Sequence, residues 1–86
     1  MNPVIIDVRE PSEFNDSHVD GAINIPLGTI LSSGDALLSL PKNGHYVVYC
    51  RSGGRAEQAK IALKQHGYSH VENGINQEHV ETNYIY

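Results

Sequence analysis

Two apolar runs, too short to be helices, constrain this chain more than any other feature. Val4-Ile5-Ile6 ends in Asp7, and His45-Tyr46-Val47-Val48-Tyr49 ends in Cys50. Short continuous apolar runs suit strands buried on both faces, as in a parallel sheet, and the second run is dense in β-formers. Tyr46 and Tyr49 fall among its valines and are read as core or sheet-face residues. A chain of 86 residues makes one small domain, expected to span residues 1–86. The hydrophobic fraction of 40% is that of a folded globule.

Helical signals lie between the strands. Glu10-Pro11-Ser12-Glu13 reads as a helix start, with Pro11 at the first position and acids near the positive end. That helix is expected to end near Ser17 or His18. Gly21-Ala22-Ile23-Asn24-Ile25-Pro26 reads as a second strand closed by proline, and Asp35-Ala36-Leu37-Leu38 as a helical turn or two. Pro41-Lys42-Asn43-Gly44 is a turn. A longer helix is predicted from about Arg55 to His66, with Ala56, Ala59 and Leu63 on one face and Ala62 and His66 alongside, stopped by Gly67. Ser69-His70-Val71-Glu72 reads as a last strand and Asn73-Gly74 as a turn. The final dozen residues show no clear period. Strands alternating with helices imply an α/β domain with a small parallel sheet flanked by helices on both faces, whose ligands bind beyond the carboxyl ends of the strands.

Cys50 stands at such an end, followed by Arg51-Ser52-Gly53-Gly54-Arg55. It is the only cysteine, which excludes an internal disulfide, a Cys-x-x-Cys redox pair and a cysteine zinc cluster. An inert core cysteine needs neither glycines nor arginines after it. Gly53 and Gly54 allow successive amide N–H groups to turn inward and form an anion-binding concavity. A helix N-terminus and the cations Arg51 and Arg55 would favour the thiolate. Cys50 is therefore the candidate nucleophile. Arg51, Ser52, Gly53, Gly54 and Arg55 form the candidate substrate-binding loop.

These residues, with Ile6-Asp7-Val8-Arg9, Glu13-Phe14, His18 and Gly21-Ala22-Ile23-Asn24-Ile25-Pro26, make the chain resemble a single-domain rhodanese. Further likeness to the phage-shock branch of small periplasmic rhodaneses lies in His18-Val19 to Leu27, Gln58-Ala59-Lys60 and Gly67-Tyr68-Ser69-His70-Val71-Glu72-Asn73. The resemblance implies a rhodanese-like fold and a sulfurtransferase. Cys50 would take the outer sulfur of a donor such as thiosulfate, become a persulfide, and pass that sulfur to cyanide or a thiol. It implies no cofactor and a periplasmic location, with the cytoplasm as the alternative. The chain departs from the family in having Asn73-Gly74-Ile75 and no Trp where a Gly-Gly pair and a Trp are usual, and in lacking the usual leading helix and strand.

The remaining candidates are weaker. Asp7 and Arg9 either form an ion pair that shapes the site or serve structure through Glu10 or Glu13. His18 is read as a structural hydrogen-bonding residue near the site, with participation in catalysis as the alternative. His66 and His70, four apart, would make a metal pair on a helix, but Gly67 intervenes and no metal is expected. The net charge of −4, with six Lys and Arg, counts against nucleic acid. A positive loop on an acidic protein fits a small anion. There is no run long enough for a membrane span and no signal-peptide pattern. The abrupt Met1-Asn2-Pro3 start fits a chain from which an upstream segment was removed, and a monomer is expected. Two other functions share this fold: a phosphatase or arsenate reductase, and a non-enzymatic binding module. Phosphatases of the fold place five residues between cysteine and arginine. Here four separate Cys50 from Arg55, a tighter cup better matched to one sulfur atom.

Overall fold

The computed structural model describes residues 3–32 and 40–84. The chain order is β1 (Val4–Asp7), α1 (Pro11–Asp16), β2 (Ile23–Asn24), α2 (Leu27–Leu31), β3 (Tyr46–Tyr49), α3 (Gly54–Gln65), β4 (Val71–Ile75) and α4 (Gln77–Asn83). The four strands form one sheet in the order β2-β1-β3-β4, all pairs parallel. β1 and β3 occupy the centre, in register from Val4 opposite Tyr46 to Asp7 opposite Tyr49. Their continuous apolar runs follow from this placement, because successive side chains point to opposite faces and both faces are covered.

One face gathers Ile6, Val48, Ile30 of α2 and Ala56, Ala59, Ala62 and Leu63 of α3. The other gathers Ile5, Val47, Tyr49 and Val80 of α4, with Phe14 of α1 packed against them. Helices therefore cover both sides of a parallel α/β sheet, as expected. Burying each of the larger side chains stabilises the fold by roughly 1.5–3 kcal/mol. Three alanines on the inner face of α3 let its backbone approach the sheet closely, so the loop feeding it stays near the end of β3.

Several elements differ from the sequence reading. β2 pairs over only Ile23 and Asn24, because the chain turns at Gly21 and Pro26 removes a donor at once. The expected turn at Asp35–Leu38 lies outside the described residues. α2 begins at Leu27, directly after Pro26, inside a segment whose mixed Gly, Ser and Leu content conceals it. α4 occupies most of the tail that lacks a period. Its N-cap is Asn76, whose Oδ1 accepts from the His79 N–H at 2.8 Å. Only Val80 of its seven residues is buried, too few to write a period in the sequence.

Asn73-Gly74 is a strand segment rather than a turn. β4 continues through it to Ile75 with a bulge, since Val48 faces Asn73 but Tyr49 faces Ile75. Gly74 is squeezed at that bulge: a Cβ there would lie 2.6 Å from Val80 and 2.7 Å from Val47. Asn-Gly is a strong turn signal in isolation. Here close packing of α4 onto the sheet imposes the glycine.

Candidate active site

Cys50 follows β3 directly and is 2% exposed. Its N–H donates to Ile75 O at 3.2 Å, which fixes the loop to the bulged end of β4. The chain then turns through Gly53, at φ 98° and ψ −15°, the N-cap of α3. That left-handed conformation is closed to most side chains and accounts for the glycine. The turn brings the Gly53 N–H to the Cys50 sulfur, donating to Sγ at 3.1 Å.

Burial pushes the Cys50 thiol up, but the backbone N–H groups of Ala56, Ser52, Gly53 and Arg55 together hold it below its ordinary value. The largest lowering causes are main-chain donors of the loop and the first turn of α3, and the Arg55 charge acts in the same direction. A pH series of alkylation rates is expected to show Cys50 reacting with a midpoint below that of a free-cysteine peptide run alongside. A midpoint at or above the peptide's would mean that burial outweighs the amides.

The Arg55 guanidinium is paired with α1. Its Nη1 and Nη2 bond the two carboxylate oxygens of Glu13 at 2.8 and 3.1 Å, a bidentate pair joining α3 to α1. The Glu13 carboxyl is held down at about 2, chiefly by Arg55 and then by the Glu10 N–H. Arg51 and Ser52 are exposed on the outer side of the loop, as is Gly54 at the first turn of α3. The loop thus divides its work. Amides face the sulfur, Arg51 faces solvent, and Arg55 anchors the loop.

Asp7 is fully buried and pairs with Arg9 rather than leaving Arg9 to Glu10 or Glu13. Arg9 Nε and Nη2 reach Asp7 Oδ1 and Oδ2 at 2.9 and 2.7 Å, and the Arg9 N–H donates to Oδ1 at 2.9 Å. The guanidinium also bonds Ser17 O at 2.6 Å and lies over the Tyr49 ring. His18 stacks on Phe14, with Nδ1 2.7 Å from Phe14 O. These contacts tie α1 to the ends of β1 and β3.

Two residues absent from the sequence reading of the site support the loop. Asn73 Nδ2 donates to Gly53 O and to Glu57 Oε1, each at 3.1 Å, while its Oδ1 accepts the Ile75 N–H at 2.9 Å. Ile75 itself has φ 72°, the one non-glycine among the described residues in the left-handed region. No sequence signal separates this Asn-Gly-Ile from an ordinary turn, apart from its departure from the usual rhodanese pattern. Among the described residues, no group around Cys50 is arranged to hold a metal, and no helix is long and apolar enough to cross a membrane.

A buried thiol at the carboxyl end of a central parallel strand, faced by amides of the following loop, is the candidate active site. The family model for the Rhodanese-like domain matches residues 1–77, and the chain belongs to that family. It is 46% identical over 69 residues to the thiosulfate sulfurtransferase PspE of Escherichia coli K12, covering 79% of this chain and 64% of that protein. It is 40% identical over 74 residues to the probable adenylyltransferase/sulfurtransferase MoeZ of Mycobacterium tuberculosis, covering 83% of this chain but 19% of that protein. The chain thus spans a fifth of MoeZ and under two thirds of PspE. Among solved structures, an E. coli rhodanese with anions superposes with a TM-score of 0.78 at 40% identity, covering 90% of this chain and 89% of that one. The human single-domain sulfurtransferase TSTD1 gives 0.75 at 25% identity, covering 95% and 84%.

Proposed function

We propose that this protein moves sulfane sulfur from thiosulfate, or a similar donor, to a thiol or cyanide through a persulfide on Cys50. The observation that carries the reading is the Cys50 sulfur enclosed by loop amides, with the Gly53 N–H at 3.1 Å. The thiolate attacks the outer sulfur of thiosulfate. A bond forms between Sγ and that sulfur, the bond to the SO3 group breaks, and its electron pair leaves with sulfite. The acceptor then attacks the terminal sulfur, forming thiocyanate or a new persulfide and returning the Cys50 thiolate.

Both intermediate states place negative charge where the amides point, and donors fixed in advance stabilise such charge without reorganising. Exposed Arg51 supplies the positive charge that a dianionic donor meets first. A phosphatase needs an arginine fork for the equatorial oxygens of its substrate. The Arg55 fork is already occupied by Glu13, which favours sulfur transfer over phosphate or arsenate chemistry.

Intact-mass measurement after thiosulfate treatment tests the proposal. The expected result is a gain of one sulfur atom, localised to Cys50 and removed by cyanide with release of thiocyanate. No gain, or a gain that cyanide leaves in place, would overturn it.

A further inference from the structure

The opposite end of the sheet carries a second cluster with chemistry of its own. His45 immediately precedes β3 and His70 immediately precedes β4. Tyr46 pairs with Val71, so the parallel register sets the two histidines side by side. The Tyr46 N–H donates to His70 O at 2.9 Å, which holds the strand starts together. The two imidazoles stack with centroids 4.0 Å apart and planes 18° from parallel. Glu72, two residues beyond His70 and so on the same side of β4, places its Oε2 against His45 Nε2. One nitrogen from each histidine and one oxygen from Glu72 lie within 4.8 Å of one another.

We propose that His45, His70 and Glu72 form a binding site for a divalent transition-metal ion, Zn²⁺ in the first instance. Two imidazoles and a carboxylate are donors that Zn²⁺ prefers, and a set of three leaves the fourth position to water. Soft-metal chemistry is excluded by the absence of sulfur, and an oxygen-seeking ion such as Mg²⁺ by the two nitrogens. The carboxylate is already oriented: Glu72 Oε1 accepts the Tyr84 hydroxyl at 3.1 Å, the kind of outer hydrogen bond that accompanies metal-ligating carboxylates. His70 is exposed and His45 half-buried, so an ion can enter from solvent with small side-chain shifts.

The site is separate from sulfur transfer. His45 and Cys50 lie at opposite ends of β3, about 16 Å apart along an extended strand. The ion would clamp the starts of β3 and β4 and, through Tyr84, the end of α4. The sequence conceals the site because His45 stands 25 residues before His70 and is brought to it only by strand pairing.

The test uses the Cys50→Ser chain, so that the thiolate cannot take the metal, freed of metal by chelation and titrated calorimetrically with Zn²⁺. One equivalent is expected to bind, and adding His70→Ala should weaken binding at least tenfold. Tyr84→Phe should weaken it by a smaller factor. Circular dichroism of each variant verifies folding, and His70→Ala removes an exposed ring that stacks on His45. Failure of the Cys50→Ser chain to bind one equivalent, or binding unchanged by His70→Ala, would overturn the assignment.

Discussion

Replacing Cys50 with serine is expected to reduce thiosulfate:cyanide sulfur transfer to the level of buffer while leaving the domain folded. No second thiol exists in the chain to take over. A serine hydroxyl is far from ionised at neutral pH and forms no bond to sulfur that an acceptor can cleave. The fold should tolerate the change, because the Gly53 N–H that reaches Sγ can donate to a hydroxyl instead. The loss in stability should be about 1 kcal/mol, the usual size of one altered hydrogen bond. Thiocyanate formation at a near wild-type rate would exclude the persulfide route. An unfolded variant would show that the thiol supports structure as well.

Removing the Asp7 carboxylate should have the largest effect on stability. Asp7 is wholly buried, and Arg9, whose side chain is 11% exposed, spends three donors on it. Asp7→Ala leaves a guanidinium without its countercharge beneath the loops at the end of the sheet. Breaking a buried pair from one side typically costs about 3–5 kcal/mol. A small domain has only about 5–15 kcal/mol in total. The urea midpoint is therefore expected to fall steeply, with little change in the slope of the transition. Asp7→Ala combined with Arg9→Met should recover part of the loss, because the stranded charge goes with the arginine. A double variant no more stable than Asp7→Ala would mean that the cost arises from lost packing rather than from the unpaired charge.

What could be read from the chain follows from how local each signal is. β1, β3 and α3 carry their information in adjacent residues: an unbroken apolar run, a run of β-formers, a spaced row of alanines stopped by Gly67. The Cys50 loop was legible for the same reason, since thiol, glycines and helix start are consecutive. Features that depend on partners distant in sequence were not. Arg55 reads as an anion ligand until Glu13, 42 residues earlier, is seen to occupy it. Asn73-Gly74 reads as a turn until Val80 and Val47 are found pressed against Gly74. α4 lacks a period because a single buried valine suffices to hold it.

The donors around the Cys50 sulfur belong to the main chain, and this bears on how such a site diverges. A substitution at 51 or 52 changes an exposed side chain but keeps the N–H, unless the new residue is proline. Nucleophile activation is thus insulated from most mutations in the loop, and the outward side chains are left free to drift. Under the proposed function, descendants of one ancestral loop would exchange Arg51 or Ser52 to suit different sulfur donors while inheriting the same thiol. On that proposal, selectivity and reactivity would be separately heritable, and a change in loop charge between two relatives would bear on what they accept rather than on whether they react.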